Sequence, residues 1–235
     1  MSGWTAKRFW KAATVEGVEG GFTVRLDGRA VKTPAKAPLI LPTLAMAQAV
    51  AAEWDAQEGA IRPETMPAAR AAHSAIDKIG PQRAEVQALI VAYGGSDLLC
   101  YRAEAPEALV ARETAAWDPL ITWAATDLGA ALTVTKGVQP IAQPETSLTR
   151  LAGHVDTLTD FELAAFHDLV AISGSLVLAL AVLKGRLDPE AAWAASRIDE
   201  DWQAELWGQD EEAAETTARR KAAFLEAHRF WALCR

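Results

Sequence analysis

Leu26-Asp27-Gly28-Arg29-Ala30-Val31-Lys32-Thr33-Pro34, then Leu39-Ile40-Leu41-Pro42, then a run closing on Glu53-Trp54-Asp55, is the stretch that decides the fold. Its first strand is already under way upstream, where Phe22, Val24 and Leu26 alternate with Thr23 and Arg25 at the two-residue period of a half-buried strand. Asp27-Gly28 supplies the two positive-φ positions of a tight hairpin turn. Thr43 is placed to cap a helix whose Leu44, Ala47, Val50, Ala51 and Trp54 share one side, and Gly59 suits the left-handed position past its end. A hairpin followed by one helix makes a small α+β layer, and the stretch carries shape without chemistry.

Downstream of this layer, Arg62-Pro63-Glu64-Thr65-Met66-Pro67 interrupts the pattern, and helical spacing then replaces strand alternation. The reading is therefore an N-terminal α+β domain over 1–62, with β-hairpins and a helix, and a larger all-α orthogonal helical domain over 63–235. Helices are predicted from Ala68 to Ile79, Pro81 to Tyr93, Pro106 to Leu128, Pro144 to Leu158, Thr159 to Leu183, Pro189 to Trp207 and Asp210 to Leu233. Pro81 and Pro189 suit first helical turns, and Thr159-Asp160-Phe161-Glu162 has the spacing of a reciprocal capping box. Gly174, between Ser173 and Ser175, is a point where the most apolar helix kinks or splits. Leu98-Leu99-Cys100-Tyr101 and Leu132-Thr133-Val134-Thr135 read as short extended segments.

The 235 residues hold 23 basic and 31 acidic side chains, a formal charge of −8 that opposes general binding to nucleic acid or anionic membranes. The run Leu169–Leu183 is too short to cross a bilayer and is expected to be a buried helix, without membrane insertion. The N-terminal sequence lacks an apolar signal core, and Glu16 and Glu19 do not suit a transit peptide, so a cytoplasmic location is expected. Two cysteines, Cys100 and Cys234, indicate neither a disulfide framework nor a zinc site. Cys100, between Leu99 and Tyr101, reads as an inert buried thiol.

Catalytic patterns are equally scarce. Gly94-Gly95-Ser96 lacks the lysine of a phosphate loop, and Ser173-Gly174-Ser175 lacks the nucleophile elbow. Histidines 73, 154, 167 and 228 have no metal-ligand spacing. His167-Asp168 is the one suggestive dyad, but neighbouring helical side chains diverge by roughly 100°, which argues against a hydrogen-bonded pair. No cofactor, metal or catalytic residue is expected.

The predicted helix from Pro189 to Trp207 differs from the others. Treated as one continuous helix, it places Ala194, Ile198, Trp202 and Leu206 on a core-facing stripe. On the opposite side Trp193, Glu200 and Trp207 align at seven-residue intervals, flanked by Asp199 and Asp201. These five are the candidate partner-binding residues, an aromatic and acidic strip of the kind that anchors protein interfaces. The plainer alternative packs both tryptophans beneath neighbouring helices and leaves the acids solvated. Most of the remaining tryptophans, at 4, 10, 54, 117, 123 and 231, are expected in the core.

Several blocks resemble the ATP-twelve family of assembly chaperones: Lys7-Arg8-Phe9-Trp10, Leu26 to Pro34, Pro38 to Pro42, Glu53 to Gln57, Thr65-Met66-Pro67, Asp97 to Arg102, Trp117-Asp118-Pro119-Leu120, Trp202-Gln203 and Trp207-Gly208. The resemblance implies a small α+β domain joined to a larger helical one, without enzymatic activity, and a monomer is expected. It also implies a partner, the unassembled alpha subunit of the F-type ATP synthase, protected from aggregation until the beta subunit replaces the chaperone. An acid within Ile198–Gln203 matters in the family, and Glu200 is the positional match, although neighbouring positions carry Asp where relatives often have Glu. Two other readings stand beside it: a small-molecule enzyme with an interdomain site, and a general holdase that protects unrelated clients equally.

Overall fold

Asp27 and Gly28 have φ values of 46° and 81°, and the turn they make joins two antiparallel strands with Leu26 opposite Arg29. The computed structural model describes residues 7–208 and 210–235, so Trp4 lies outside the described residues. Strands β1 (Ala13–Val18), β2 (Gly21–Leu26) and β3 (Arg29–Ala30) form a sheet in that order. Val24 and Leu26 are buried, as their alternation requires. Thr23, expected to face solvent, is buried too, because its hydroxyl donates to the Leu39 carbonyl at 2.8 Å. The proline-bounded run beyond it lies along β2, where Phe22 and Leu41 exchange backbone hydrogen bonds of 2.9 and 2.8 Å.

Helix α1 (Leu44–Asp55) packs on β1 and β2, and its first turn is capped by Thr43, whose hydroxyl accepts from the Met46 N–H at 3.1 Å. Its buried face is Met46, Ala47, Val50 and Ala51, while Leu44 points outward. Helix α2 (Pro67–Ser74) follows closely. The Glu53 carboxylate accepts from the N–H groups of Ala68 and Ala69 at 2.7 and 2.8 Å, which caps α2 from α1. Gln57, buried, bonds to Thr65 and to the Arg62 N–H at 3.0 and 2.8 Å. The Pro63–Pro67 segment is thus tied down to the helix before it. Compactness groups the described residues into two units. One compact unit is the chain up to Arg83 with Thr159–Ala165 and Arg229–Arg235, and the other is Ala84–Leu158 with Phe166–His228.

The remaining helices are α3 (Arg83–Ala92), α4 (Glu107–Asp127), α5 (Glu145–Asp156), α6 (Asp160–Ser173), α7 (Leu176–Leu183), α8 (Pro189–Ala195), α9 (Ile198–Trp207) and α10 (Glu211–Leu233). Pro81 opens no α-helix: a wide turn over 75–79 and a tight one over 80–82 carry the chain past it, since it has no N–H to continue the ladder. The capping box at Thr159 is present, with bonds of 2.8 and 3.2 Å exchanged with Glu162. Gly174, at φ 72°, splits the apolar helix into α6 and α7, and the residues of α7 from Leu176 to Val182 are buried. Among the described residues no helix is long and apolar enough to cross a membrane. The extended segments are shorter than expected, two-residue strands β4 (Tyr101–Arg102) and β5 (Thr135–Lys136) in parallel pairing.

Asp97, fully buried, organises the second unit. It accepts from the Ser175 hydroxyl at 2.7 Å and from the N–H groups of Val177 and Leu99 at 3.0 Å each. These donors include an otherwise unpaired N–H of α7's first turn. Burial outweighs the donors and pushes the Asp97 carboxyl above the ordinary range.

Candidate partner-binding site

The helix predicted from Pro189 to Trp207 is two helices. Ser196 ends α8: its N–H bonds to the Ala192 and Trp193 carbonyls, and its hydroxyl donates to the Trp193 carbonyl at 2.7 Å, competing with continuation of the ladder. Asp188 caps the start of α8, accepting from Glu190 and Ala191. The break resets the helical phase, so the strip drawn through Trp193, Glu200 and Trp207 does not exist. Trp193 is buried, 6.1 Å from the Phe224 ring and with the Arg197 guanidinium 5.6 Å from its own centroid. The stripe expected to face the core is also displaced: Ala194 is exposed, Ile198 and Trp202 are half-buried, and Leu206 is 57 % exposed.

The structure does bring together α9 itself. Asp199, Glu200 and Asp201 occupy its first turn, where carboxylates meet the positive end of the helix dipole. Glu200 pairs with Arg197 at 2.6 Å. Asp201 is exposed and has no side-chain partner among the described residues. At the far end Trp207 is 75 % exposed next to Leu206, and Gly208, with φ 79°, stops the helix. One turn earlier, Arg112 of α4 holds Glu205 at 2.8 Å and lies over the Trp202 ring at 4.7 Å.

Asp199 turns inward to Glu113, a residue the sequence reading missed. Glu113 is fully buried on α4 and accepts from the Ala103 N–H at 2.9 and 3.2 Å. Burial first, then its hydrogen bond to Asp199, holds its carboxyl up at about 7. Glu113 therefore keeps its proton in mildly acidic solution, where it faces Asp199 at the start of α9. A signal was present, because Leu109, Glu113, Trp117, Leu120 and Ala124 form one buried stripe and Glu113 is the only acid in it.

Beside it stands Arg102, 7 % exposed, paired with Asp118 at 2.8 Å and 5.2 Å from the Trp117 centroid. The Trp117 indole N–H donates to the Ala195 carbonyl at 2.8 Å, which locks the end of α8 to α4. Elsewhere, the His167 ring nitrogen lies 3.0 Å from an Asp168 carboxylate oxygen. This overturns the expectation that adjacent side chains diverge; the rotamers bring them together at the surface, where no hydroxyl or thiol bonds to the imidazole among the described residues. Cys100 is fully buried and its thiol is pushed up to about 12, the inert state its neighbours predict. Among the described residues no three His, Cys, Asp or Glu side chains gather as a metal site.

Comparison with known proteins follows from this architecture. The family profile described as ATP12 chaperone protein matches residues 7–125. The chain belongs to the ATP12 chaperone family. A crystal structure of Atp12 from Paracoccus denitrificans is 51 % identical, with TM-score 0.94 over 98 % of this chain and 99 % of that one. An aspartate-to-lysine mutant of the same Paracoccus protein aligns as well, at 51 % identity and TM-score 0.95 over 98 % of each chain. A mitochondrial Atp12 of Schizosaccharomyces pombe is 28 % identical over 223 residues, 89 % of this chain and 76 % of the relative. The α+β fold with its helical C-terminal region is shared with these ATP12 structures along nearly the whole chain.

Proposed function

We propose that the protein is an assembly chaperone of the F-type ATP synthase that binds the unassembled alpha subunit in the bacterial cytoplasm, with no catalytic step. The observation that carries this reading is the likeness to Atp12 over 98 % of the chain at 51 % identity. The physical logic is that of a ring. A subunit built for heterologous contacts on two sides exposes apolar surface when alone, and such surface adds to wrong neighbours without closing. A chaperone covers it reversibly, and the beta subunit displaces the chaperone.

On this reading α9 is the contact element. Glu200 and Asp201 present negative charge for capture, with Asp199 behind them turned to Glu113, and Trp207 with Leu206 supplies apolar area. Trp193, buried against Phe224, is not part of this contact surface. Light scattering of isolated alpha subunit tests the proposal: wild-type protein suppresses the aggregation, while Asp201→Lys and Trp207→Ala require higher concentrations for the same effect. Aggregation unchanged by wild-type protein overturns it, and equal protection of unrelated clients replaces it with a general holdase.

A further inference from the structure

Helix α9 is the one α-helix among the described residues that buries none of its side chains. It has ten residues, and isolated helices shorter than roughly 12–15 are marginal in water, so α9 depends on what it lies against to stay helical. Two adjacent residues of α4 provide the hold. Arg112 takes the far end, pairing with Glu205 at 2.8 Å and lying over the Trp202 ring at 4.7 Å. Glu113 takes the start, where half-buried Asp199 faces it. The break at Ser196 and the positive φ of Gly208 mean that no neighbouring helix runs on into α9.

A second partner stands ready beside Glu113. The Glu113 carboxyl is anchored on the N–H of Ala103, the residue that follows Arg102, and the Arg102 charge acts on it. Arg102 is 7 % exposed; its Nε donates to the Leu99 carbonyl at 2.9 Å and its Nη1 pairs with Asp118 at 2.8 Å, but its Nη2 is buried without an acceptor among the described residues. A buried charged donor left unpaired is costly and calls for an acceptor. The other charged groups nearby are engaged: Arg112 with Glu205, Asp118 with Arg102, and Arg197, which precedes α9, with Glu200. Of the other helices that pack on α4, α7 carries no ionisable side chain, and Glu190, the one on α8, is bonded to Lys221 at 2.6 Å.

We propose that Glu113 is a proton-operated switch that exchanges partners, holding Asp199 and seating α9 on α4 while it is protonated, and turning to the unpaired Nη2 of Arg102 when it is ionised, which releases α9. Protonated, the carboxyl has an O–H to donate to the Asp199 carboxylate, and its carbonyl oxygen still accepts from the Ala103 N–H. Ionised, it has nothing to donate; two like charges then face each other out of water, and the guanidinium N–H becomes the stronger partner. The proton passes to solvent. Burial and Asp199 hold the Glu113 carboxyl up at about 7, so the exchange falls near neutrality. Helix α9, left with Arg112 alone, then unravels from its first turn. The switch acts on the helix proposed above as the contact element, but it is a property of this chain by itself and stands or falls independently of that reading.

Amide hydrogen exchange of the full-length protein at pH 6 and pH 8, corrected for the intrinsic effect of pH on exchange, tests the release. Protection of the α9 amides from Trp202 to Leu206 is expected to fall about tenfold at the higher pH, while α4 and α8 keep theirs. Glu113→Gln keeps a donor for Asp199 and has no proton to lose, so its α9 stays protected at both pH values. Asp199→Asn gives the ionised Glu113 an N–H to accept from, and it too stays protected at pH 8; melting curves verify that both variants fold. Arginine side-chain NMR of the wild-type protein tests the exchange of partners without any substitution: the Arg102 Nη2 protons are expected to shift downfield over the same pH range. Protection in the wild-type protein that does not change with pH overturns the switch. A loss of protection that Glu113→Gln shares overturns the assignment to Glu113, and Arg102 signals that stay fixed while α9 loses protection overturn the exchange of partners.

Discussion

Replacing Glu113 with glutamine separates the proton it holds from everything else in the α4–α9 joint. Glutamine copies the protonated carboxyl: its oxygen accepts from the Ala103 N–H and its amide donates toward Asp199. The folded state raises the Glu113 pKa from 4.5 to about 7, a difference worth about 3 kcal/mol at most. The sign follows from the raised value. Below the unfolded pKa both states are protonated and the stabilisation is complete; as pH climbs from 4.5 to about 7 the folded state must give up its proton beside Asp199, and the contribution is lost. Wild-type protein and Glu113→Gln should therefore be nearly equal in stability at pH 4.5, and the variant should be the more stable at pH 8, by up to about 3 kcal/mol. His73 and His154, whose pKa values burial lowers, change stability in the opposite sense over part of this range. They are present in both proteins and cancel in the difference. Urea unfolding of the pair across this pH range, followed by tryptophan fluorescence and circular dichroism, measures it. A difference that stays constant with pH refutes the raised Glu113 value.

Other consequences are direct. Trp117→Phe removes the indole donor from the Ala195 carbonyl and should cost about 1–3 kcal/mol in urea unfolding, with the α8–α9 region losing hydrogen-exchange protection first. Asp97→Ala strips the Ser175 hydroxyl and the Val177 and Leu99 N–H groups of their acceptor and should cost several kcal/mol, read as a lower melting temperature. Cys100, buried and with its thiol pushed up to about 12, should resist thiol reagents at pH 8 in native protein and react on unfolding. Asp201→Lys should slow association with the alpha subunit and reduce its dependence on salt, with little effect on stability, as measured by stopped-flow mixing.

Local chemistry was legible wherever a few neighbouring residues settle the geometry. The Asp27-Gly28 turn, the Thr43 cap, the Thr159–Glu162 box and the Gly174 split all depend on contacts within a handful of positions. What sequence alone did not reveal depends on residues far apart in the chain. Glu53 caps α2 from α1 and erases the linker that Pro63 and Pro67 suggest. Ser196 sits in an alanine-rich helical pattern, and periodicity has no means of registering that its hydroxyl ends α8 and rotates all that follows. The strip through Trp193 and Trp207 failed for this reason alone. The acids of α9 stand next to one another in the sequence, whereas Glu113, which faces Asp199 from α4, showed itself only as one carboxyl in an apolar stripe. Family likeness reached further, because the matched blocks run along the chain irrespective of which contacts they make.

The central claim is that this protein temporarily occupies a surface of the alpha subunit that the beta subunit later covers. Titrating beta subunit into a preformed complex of this protein with alpha, with the species resolved by analytical ultracentrifugation, tests it most directly. The account predicts a soluble complex that dissolves as beta is added, with free chaperone and alpha–beta assemblies rising together. Failure of this protein and alpha to form a complex, or a complex that added beta leaves intact, would contradict it.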